Sequence, residues 1–202
     1  VGVGIVDPPP VNAERFRVER SIEGPFLLYV GRIDANKGCE QLFDYYRRAH
    51  ALMTAAAESP PQLVLAGSAI LDIPEHPGIT YLGQVSEQEK YDALSACTAL
   101  VMPSFYESLS MVLLEAWALS RPVLVNAHCD VLKGQARRAD GGLWYGDSAE
   151  FVESCRLLTR DAALGGALGA AGKRYYDAHY AWPVIEDKYE QMLEQLHHED
   201  HR

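Results

Sequence analysis

Residues 26–31 read Phe-Leu-Leu-Tyr-Val-Gly, a continuous apolar run that ends in glycine. Such a run is typical of a strand that is buried on both faces of a parallel sheet. The same pattern returns at residues 62–67, Gln-Leu-Val-Leu-Ala-Gly, and at residues 79–83, Ile-Thr-Tyr-Leu-Gly. We therefore expect three strands of one parallel sheet, each of which ends at a glycine.

Two further short strands are predicted at residues 99–103 and 122–126, with an apolar helix between them at about residues 110–120. A long helix is predicted at about residues 38–57, and another follows Ser86, which begins a capping box. Strands that alternate with helices predict an α/β fold, a doubly wound parallel sheet of the Rossmann-like kind. In such sheets ligands bind beyond the carboxyl ends of the strands.

Helices dominate the chain after Gly141-Gly142, and only a weak edge strand near residues 143–145 interrupts them. The predicted helices span residues 148–160, 162–179 and 183–196. We therefore expect the domain to end in a helical C-terminal segment.

The start of the chain is predicted to be the edge of a larger protein. Residues 1–6 and the run Pro8-Pro9-Pro10 read as a strand or linker end that continues into an extended segment, because proline lacks an N–H donor. We expect residues 1–24 to be a linker or the end of a preceding segment, residues 25–196 to form one domain, and residues 197–202 to form a polar tail. The histidines of this tail could bind a metal weakly, but their composition favours a frayed polar end.

The composition of the 202 residues, 48% hydrophobic and 23% charged, is that of a water-soluble globular protein. A net charge of −10 argues against a nucleic-acid-binding surface, which needs clustered Lys and Arg. No apolar run approaches the roughly 20 residues that span a bilayer, so we expect no membrane contact through this domain. The scattered cysteines predict reduced core thiols in a cytoplasmic protein, since their spacing fits neither a zinc site nor a disulfide framework. They are Cys39, Cys97, Cys129 and Cys155.

Residues 31–38, Gly-Arg-Ile-Asp-Ala-Asn-Lys-Gly, lie where the first strand ends and a helix begins. Gly31 lets the backbone approach a ligand closely, and the N-terminus of the helix offers unpaired N–H groups. Arg32 and Lys37 bring two positive charges to the same loop. The segment is not a Walker motif, because GxxxxGKS/T is absent, but it predicts a local anion site.

Residues 103–117 place two glutamates eight residues apart, Glu107 before a helix and Glu115 inside it. If the helix begins near Ser110, Glu115 lies about 8 Å further along its axis. The neighbours of Glu115 are almost all apolar, so its carboxylate needs a partner, and ligand hydroxyls are natural ones. The N-terminus of the helix predicts a second phosphate-binding element. Its first N–H groups belong to Ser110, Met111 and Val112.

In their order and spacing these segments resemble the C-terminal domain of the GT-B glycosyltransferases, specifically glycosyltransferase family 4. The resemblance extends from about Pro25 to Leu196. It implies a retaining transfer from a nucleoside-diphosphate sugar, with no metal and no other cofactor. The segments that carry it are Gly31-Arg32 with Lys37-Gly38, Gly83-Gln84-Val85-Ser86, Pro103-Ser104, Glu107-x7-Glu115 and Arg121-Pro122-Val123.

The resemblance also implies roles for individual residues. Arg32 and Lys37 would contact the diphosphate of the donor and neutralise the leaving nucleotide, while Gly31 would open the loop for it. Glu107 would bind hydroxyls of the donor sugar, which completes a catalytic set with the two cations, and Glu115 would bind the ribose hydroxyls. Backbone atoms would supply the other contacts, at Val85 for the base and at Ser110, Met111 and Val112 for phosphate and sugar.

Residues 108–110 depart from the family pattern, since they read Ser-Leu-Ser where the family commonly has Gly-Phe-Gly. The serines are small enough to cap the helix or to bond the ligand. A non-catalytic nucleotide-sugar-binding module and a GT-B-like sugar-nucleotide epimerase stay open as alternatives. A dinucleotide-dependent oxidoreductase is disfavoured because no GxGxxG follows a strand.

The resemblance further implies that an N-terminal domain outside this chain holds the acceptor. We therefore expect the chain to bind a nucleotide sugar, with UDP or GDP as the nucleotide, and to transfer no sugar on its own.

Overall fold

The computed structural model describes residues 2–199, in which six parallel strands form one sheet. In chain order the strands are β1 Phe26–Val30, β2 Gln62–Ala66, β3 Ile79–Tyr81, β4 Ala99–Met102, β5 Val123–Asn126 and β6 Gly142–Tyr145. Their order across the sheet is β3-β2-β1-β4-β5-β6. Because the chain adds β2 on one side of β1 and β4 on the other, the winding reverses at β1, as in a doubly wound fold.

Helices cover both faces of this sheet. In chain order the α-helices are α1 Ala13–Arg20, α2 Cys39–Ala55, α3 Glu87–Ala96, α4 Met111–Ala118, α5 Asp130–Ala139, α6 Ser148–Arg160, α7 Ala162–His179 and α8 Trp182–Glu199. Side chains of α2 and α6 share one core with the sheet, while those of α1, α3, α4 and α5 share the other. The predicted α/β class and the doubly wound parallel sheet are therefore confirmed.

The first strand is buried on both of its faces, as the apolar run predicts. Phe26 and Leu28 belong to the core beneath α3 and α4, whereas Leu27 and Tyr29 belong to the core beneath α2. Each of the four side chains is at most 2% exposed. Burial of apolar surface at roughly 25 cal/mol per Å² makes this central strand a main source of stability.

The predicted elements are all present, with ends that differ by at most three residues. Ser86 caps α3 by accepting a hydrogen bond from the N–H of Glu89, which confirms the predicted cap, while the carboxylate of Glu89 accepts a hydrogen bond from Arg20 at 2.6 Å instead of completing the capping box. The weak strand near residues 143–145 is β6, and it lies at the edge of the sheet as predicted.

Two helices, α1 and α5, have no counterpart in the prediction. The eight residues of α1 bury only Phe16, so their sequence has almost no apolar periodicity. The buried residues of α5 do follow a helical spacing, but they include a glutamine and two alanines, which weaken the apolar signal. They are Leu132, Gln135, Ala136 and Ala139.

The segment before β1 packs on the domain. On α3, Asp92 accepts a hydrogen bond from the N–H of Asn12 at 2.7 Å and another from Nε of Arg15 at 2.9 Å. Ile5 forms a parallel bridge with Ala181. The assignment of residues 1–24 as a linker or the end of a preceding segment stays a prediction.

At the C-terminal end, α8 continues to Glu199, so residues 197–199 of the predicted tail are helical and residues 200–202 lie outside the described part. Pro183 follows the first residue of α8, where its missing N–H costs no helical hydrogen bond. The four cysteines are free and buried, as predicted. Among residues 2–199, no helix has both the length and the apolar character that a membrane span requires.

The glycines of α7 are of two kinds. A Cβ at Gly172 would overlap the indole ring of Trp117, whose Nε1 donates to the carbonyl oxygen of Gly141 at 2.9 Å. A Cβ at Gly166 would meet nothing within 4 Å. Packing therefore requires a glycine at position 172 but leaves position 166 free.

Gly172→Ala is expected to lower the free energy of unfolding by about 1–3 kcal/mol, because overpacking against Trp117 outweighs the better helix propensity of alanine. Gly166→Ala, on the same helix, is the matched control and should raise it by about 0.5–1 kcal/mol. Urea unfolding of both variants measures the two effects. Equal destabilisation by the two substitutions would contradict this description of the packing.

Candidate functional site

The loops that follow β1 and β4 meet at the carboxyl edge of the sheet and enclose a cavity of about 230 Å³. Its walls come from the end of β1, from the loop between β4 and α4, and from the first turn of α4. Both stretches in which the sequence predicts an anion site thus border one cavity. The predicted site residues that line it are Gly31, Lys37, Glu107, Ser110, Met111 and Val112.

The carboxylate of Asp34 fixes the conformation of the loop after β1. It accepts hydrogen bonds from the guanidinium of Arg32 and, at 2.9 Å, from the N–H of Lys37. The hydrogen bond from Arg32 is the main reason why the pKa of Asp34 is lowered, although burial of the carboxyl acts in the opposite direction. The hydroxyl of Tyr29 donates to the carbonyl oxygen of Arg32 at 2.7 Å. Because it is paired with Asp34, the side chain of Arg32 stays on its own loop, where it is 54% exposed. It lies outside the lining of the cavity.

Gly38 allows the two loops to touch. Its φ of +74° lies in the left-handed region, and a Cβ at this position would run into the carbonyl oxygen of Pro103. Any residue with a side chain would therefore separate the loop after β1 from the loop after β4. The close approach places Lys37, the preceding residue, beside the second loop.

Lys37 and Glu107 form an ion pair across the cavity, with Nζ at 2.8 Å from Oε1. The side chain of Glu107 is 13% exposed and that of Lys37 is 35% exposed. The sequence predicts a role for each residue but not their contact with each other. The pair puts a cation and a carboxylate at one point, where a phosphate and a sugar hydroxyl could each find a partner.

The N-terminus of α4 faces the same cavity. Ser110 caps the helix by accepting a hydrogen bond from the N–H of Leu113 at 3.3 Å, so one of the two roles predicted for the serines is confirmed. Met111 and Val112 form the first turn and border the cavity, and no acidic residue lies in that turn. The positive end of the helix dipole is therefore directed at the space beside Lys37.

Glu115 has a protein partner. Its Oε1 accepts a hydrogen bond from Nζ of Lys90 on α3 at 2.9 Å and one from the hydroxyl of Tyr91 at 3.4 Å. The sequence predicts that this nearly buried carboxylate needs a partner, and it misses Lys90 because nothing in the pattern links α3 to α4. Burial lowers the pKa of Lys90, but the hydrogen bonds from its ammonium to Glu115 and Glu87 outweigh it and raise the pKa overall.

Ser104 is a site residue to which the sequence assigns no role. Its side chain is buried, it lines the same cavity as Lys37 and Glu107, and its hydroxyl has no hydrogen-bond partner among the described residues. A buried hydroxyl without a partner costs about 1–3 kcal/mol, so a ligand atom in the cavity would gain from bonding it. The sequence signal was present, since Pro103-Ser104 is part of the quoted motif.

Val85 lies in the loop between β3 and α3, at the same edge of the sheet, but outside the lining of the cavity. Glu115 also lies outside that lining, about one turn into α4. Both residues lie toward α3, and the contacts to base and ribose stay predictions.

A larger cleft of about 500 Å³ adjoins the cavity and shares Glu107 with it. Its walls include Phe105, Tyr106 and His128. The ring of His128 stacks on that of Phe105 with centroids 6.3 Å apart, and its Nε2 lies 2.8 Å from the carbonyl oxygen of Gly146. Glu107 thus lies between the cavity beside Lys37 and the larger cleft beside these aromatic rings.

Comparisons with known proteins identify the family and the fold. The family described as Glycosyl transferases group 1 matches residues 24–161, about two thirds of the chain. Alpha-maltose-1-phosphate synthase from Mycobacterium tuberculosis is 25% identical over 178 residues, which cover 81% of this chain and 46% of that protein. The chain spans about half the length of the curated relatives it matches.

Two solved structures share the fold. The C-terminal domain of LpcC, a glycosyl transferase group 1 family protein from Francisella tularensis, has a TM-score of 0.66 at 16% identity, over 88% of this chain and 97% of that one. Anabaena HepE, solved in complex with UDP, has a TM-score of 0.73 at 15% identity, over 91% of this chain and 52% of that one. The family match and the sheet topology lead to one conclusion: this chain belongs to the glycosyl transferases group 1 family, glycosyltransferase family 4, and corresponds to the C-terminal half of its GT-B enzymes.

Proposed function

We propose that this chain binds the donor, a nucleoside-diphosphate sugar, of a retaining glycosyltransferase whose acceptor is bound by another part of the enzyme. The observation that carries the proposal is the cavity in which Lys37, Glu107 and the N-terminus of α4 converge. It offers a cation and helix N–H groups to a diphosphate, and a carboxylate to the hydroxyls of a sugar. Membership of the family supports the same assignment.

The proposed chemistry rests on the charge that develops when the glycosidic bond to the nucleotide breaks. Negative charge then accumulates on the leaving phosphate, and groups that are already held in place stabilise it more than they stabilise the bound donor. Lys37 and the first turn of α4 supply such groups, and Arg32 adds a second cation from the same loop. Transfer of this kind needs no metal ion at the diphosphate.

Glu107 is proposed to hold the donor sugar. Its carboxylate is paired with Lys37 through Oε1, and it borders both the cavity and the larger cleft. A diphosphate beside Lys37 would compete for the ammonium and leave carboxylate oxygens to accept hydrogen bonds from sugar hydroxyls. Ser104, whose buried hydroxyl has no partner in the described residues, would bond the same ligand.

Glu115 is proposed to bind the ribose. Both of its hydrogen bonds, from Lys90 and from Tyr91, go to Oε1. The other oxygen, Oε2, accepts no hydrogen bond from the residues that the structure describes and can receive the ribose hydroxyls. Lys90 would then fix the orientation of the carboxylate, and the backbone at Val85 would meet the base.

Titration calorimetry of the chain with UDP and with GDP tests donor binding. We expect one site, with a dissociation constant on the order of 10 μM to 1 mM for the preferred nucleotide, because the chain carries only one wall of the full site. No transfer of sugar is expected from the chain alone. The absence of binding to either nucleotide by a folded sample would contradict the proposal.

Lys37→Ala should weaken binding of the preferred diphosphate by about 1.5–3 kcal/mol, because a charge-assisted contact is lost and Glu107 is left without its cation. Arg32→Ala should cost less, about 1 kcal/mol, since that side chain is exposed and bonded to Asp34. Lys188→Ala on α8 is the matched control and should leave binding unchanged. If calorimetry gives Lys37→Ala the affinity of this control, Lys37 has no part in the site.

Glu115→Gln should reduce discrimination between UDP and 2′-deoxy-UDP, because the amide replaces a charge-assisted contact by a neutral one. The unmodified chain is expected to prefer the ribonucleotide by about 1–2 kcal/mol, because Oε2 of Glu115 accepts a ribose hydroxyl. Competition calorimetry with the two nucleotides measures this difference. If Glu115→Gln keeps the full preference, the ribose contact lies elsewhere.

A further inference from the structure

Another cavity lies at the opposite edge of the sheet, where the strands begin. It has a volume of about 350 Å³, and its walls come from the residues just before β1, β4 and β5, from the end of α6 and from the first turn of α7. The candidate donor site lies beyond the carboxyl ends of the same strands. The two cavities are therefore on opposite edges of one sheet and share no lining residue.

Two arginines, Arg17 and Arg121, line this cavity, and none of its lining residues is acidic. Neither arginine forms an ion pair with a carboxylate of residues 2–197, whose side chains the structure describes. The chain as a whole has 28 acidic and 18 basic residues, so a concave site with two unpaired cations runs against its average charge. Such a site attracts anions.

The guanidinium of Arg17 is fixed in place without being neutralised. It donates to the carbonyl oxygens of Gly24 and Ala96, both at 2.7 Å, and lies 5.2 Å from the centre of the Phe26 ring. Carbonyl oxygens and an aromatic face orient the group but carry no full negative charge. The positive charge of Arg17 is therefore still available to a ligand.

The guanidinium of Arg121 has a buried N–H donor that no described residue accepts. Its Nε is buried and has no hydrogen-bond partner among the described residues, and its Nη1 makes only a long contact of 3.5 Å to the carbonyl oxygen of Cys97. A buried N–H group without an acceptor is unfavourable. An oxyanion in the cavity would satisfy it and would pair with the charge at the same time.

The first residues of α7 leave room beside the cavity because two of them have no side chain. Gly165 and Gly166 line the cavity, and a Cβ at either would meet nothing within 4 Å. Two adjacent glycines reduce helix stability, and no packing contact accounts for them here. Asp161 caps this helix end by accepting a hydrogen bond from the N–H of Leu164 at 2.8 Å, and it is not among the residues that line the cavity.

We propose that this cavity binds a phosphate group, either as a phosphate monoester of a small polar molecule or as inorganic phosphate. Arg17 and Arg121 would hold the phosphate oxygens, since guanidinium donors match that geometry. Thr98 and Ser120 line the same space, and the hydroxyl of Thr98, which accepts a hydrogen bond from the N–H of Phe26 at 3.1 Å, keeps its proton to donate. The volume leaves room beyond a bare phosphate and lies in the range of pockets for small ligands.

Titration calorimetry of the chain with inorganic phosphate and with glucose 6-phosphate, at constant ionic strength set with chloride, tests the proposal. We expect saturable binding of at least one of the two probes at concentrations up to about 20 mM. Tighter binding of glucose 6-phosphate identifies a monoester site, and tighter binding of phosphate identifies an inorganic one. If neither probe binds, the proposal is wrong.

A matched pair of variants locates the binding. Gly165→Glu adds a carboxylate where a side chain has room and should weaken binding by at least about tenfold, whereas Gly165→Gln, of similar size and no charge, should weaken it much less. Arg121→Gln should also weaken it about tenfold. Equal affinities of the two Gly165 variants would overturn the proposal even if Arg121→Gln fails to fold.

A further variant separates this cavity from the candidate donor site, which also holds cations. Lys37→Ala is expected to leave binding of phosphate and of glucose 6-phosphate unchanged, while Gly165→Glu is expected to leave binding of UDP unchanged. Loss of phosphate binding in Lys37→Ala would assign that binding to the donor site and overturn the proposal.

Discussion

The parallel pairing of β1 with β4 brings together two loops that are far apart in the sequence. Leu27 pairs with Ala99 and Leu28 with Leu100, so both strands end at the same edge of the sheet. Because β2 and β4 lie on opposite sides of β1, the loops after β1 and β4 lead to helices on opposite faces of the sheet. A crevice is left between the two loops. The backbone contact between Gly38 and Pro103 then closes the crevice on one side, and residues 70 positions apart form an ion pair.

Three ion pairs follow the carboxyl edge of the sheet: Arg32 with Asp34, Lys37 with Glu107, and Lys90 with Glu115. Each cation of the proposed donor site is thus paired with a carboxylate, and Lys90 also pairs with a second one, Glu87. A nucleoside diphosphate adds negative charge beside the cations and, in its sugar and ribose, hydroxyl groups that can donate to the carboxylates. The proposed donor can therefore bind both the cations and the carboxylates of these pairs, whereas an inorganic anion can bind only the cations.

Much of the fold could be predicted from the sequence because β1, β2, β4 and β5 are nearly continuous apolar runs, and burial on both faces leaves few alternatives to a parallel sheet. The helix α1 could not, since it is held by the contacts of Asp92 with Asn12 and Arg15 rather than by an apolar stripe. Such contacts join residues that no local pattern relates.

The candidate site was predictable to a similar degree. The residues around Glu115 are apolar, which is enough to predict that its carboxylate has a partner. The identity of Lys90 depends on how α3 packs against α4, and that is a property of the assembled domain. The orphan hydroxyl of Ser104 likewise becomes visible only when burial and hydrogen bonds are known.

The central claim is that a donor diphosphate binds between the loop after β1 and the first turn of α4. Hydrogen–deuterium exchange of the chain with and without saturating UDP, or GDP if that nucleotide binds better, tests it directly. The account predicts slower exchange in peptides that cover residues 31–38 and 104–112, and no change in peptides that cover residues 162–166. Protection confined to other parts of the sheet, with these two loops unaffected, would contradict it.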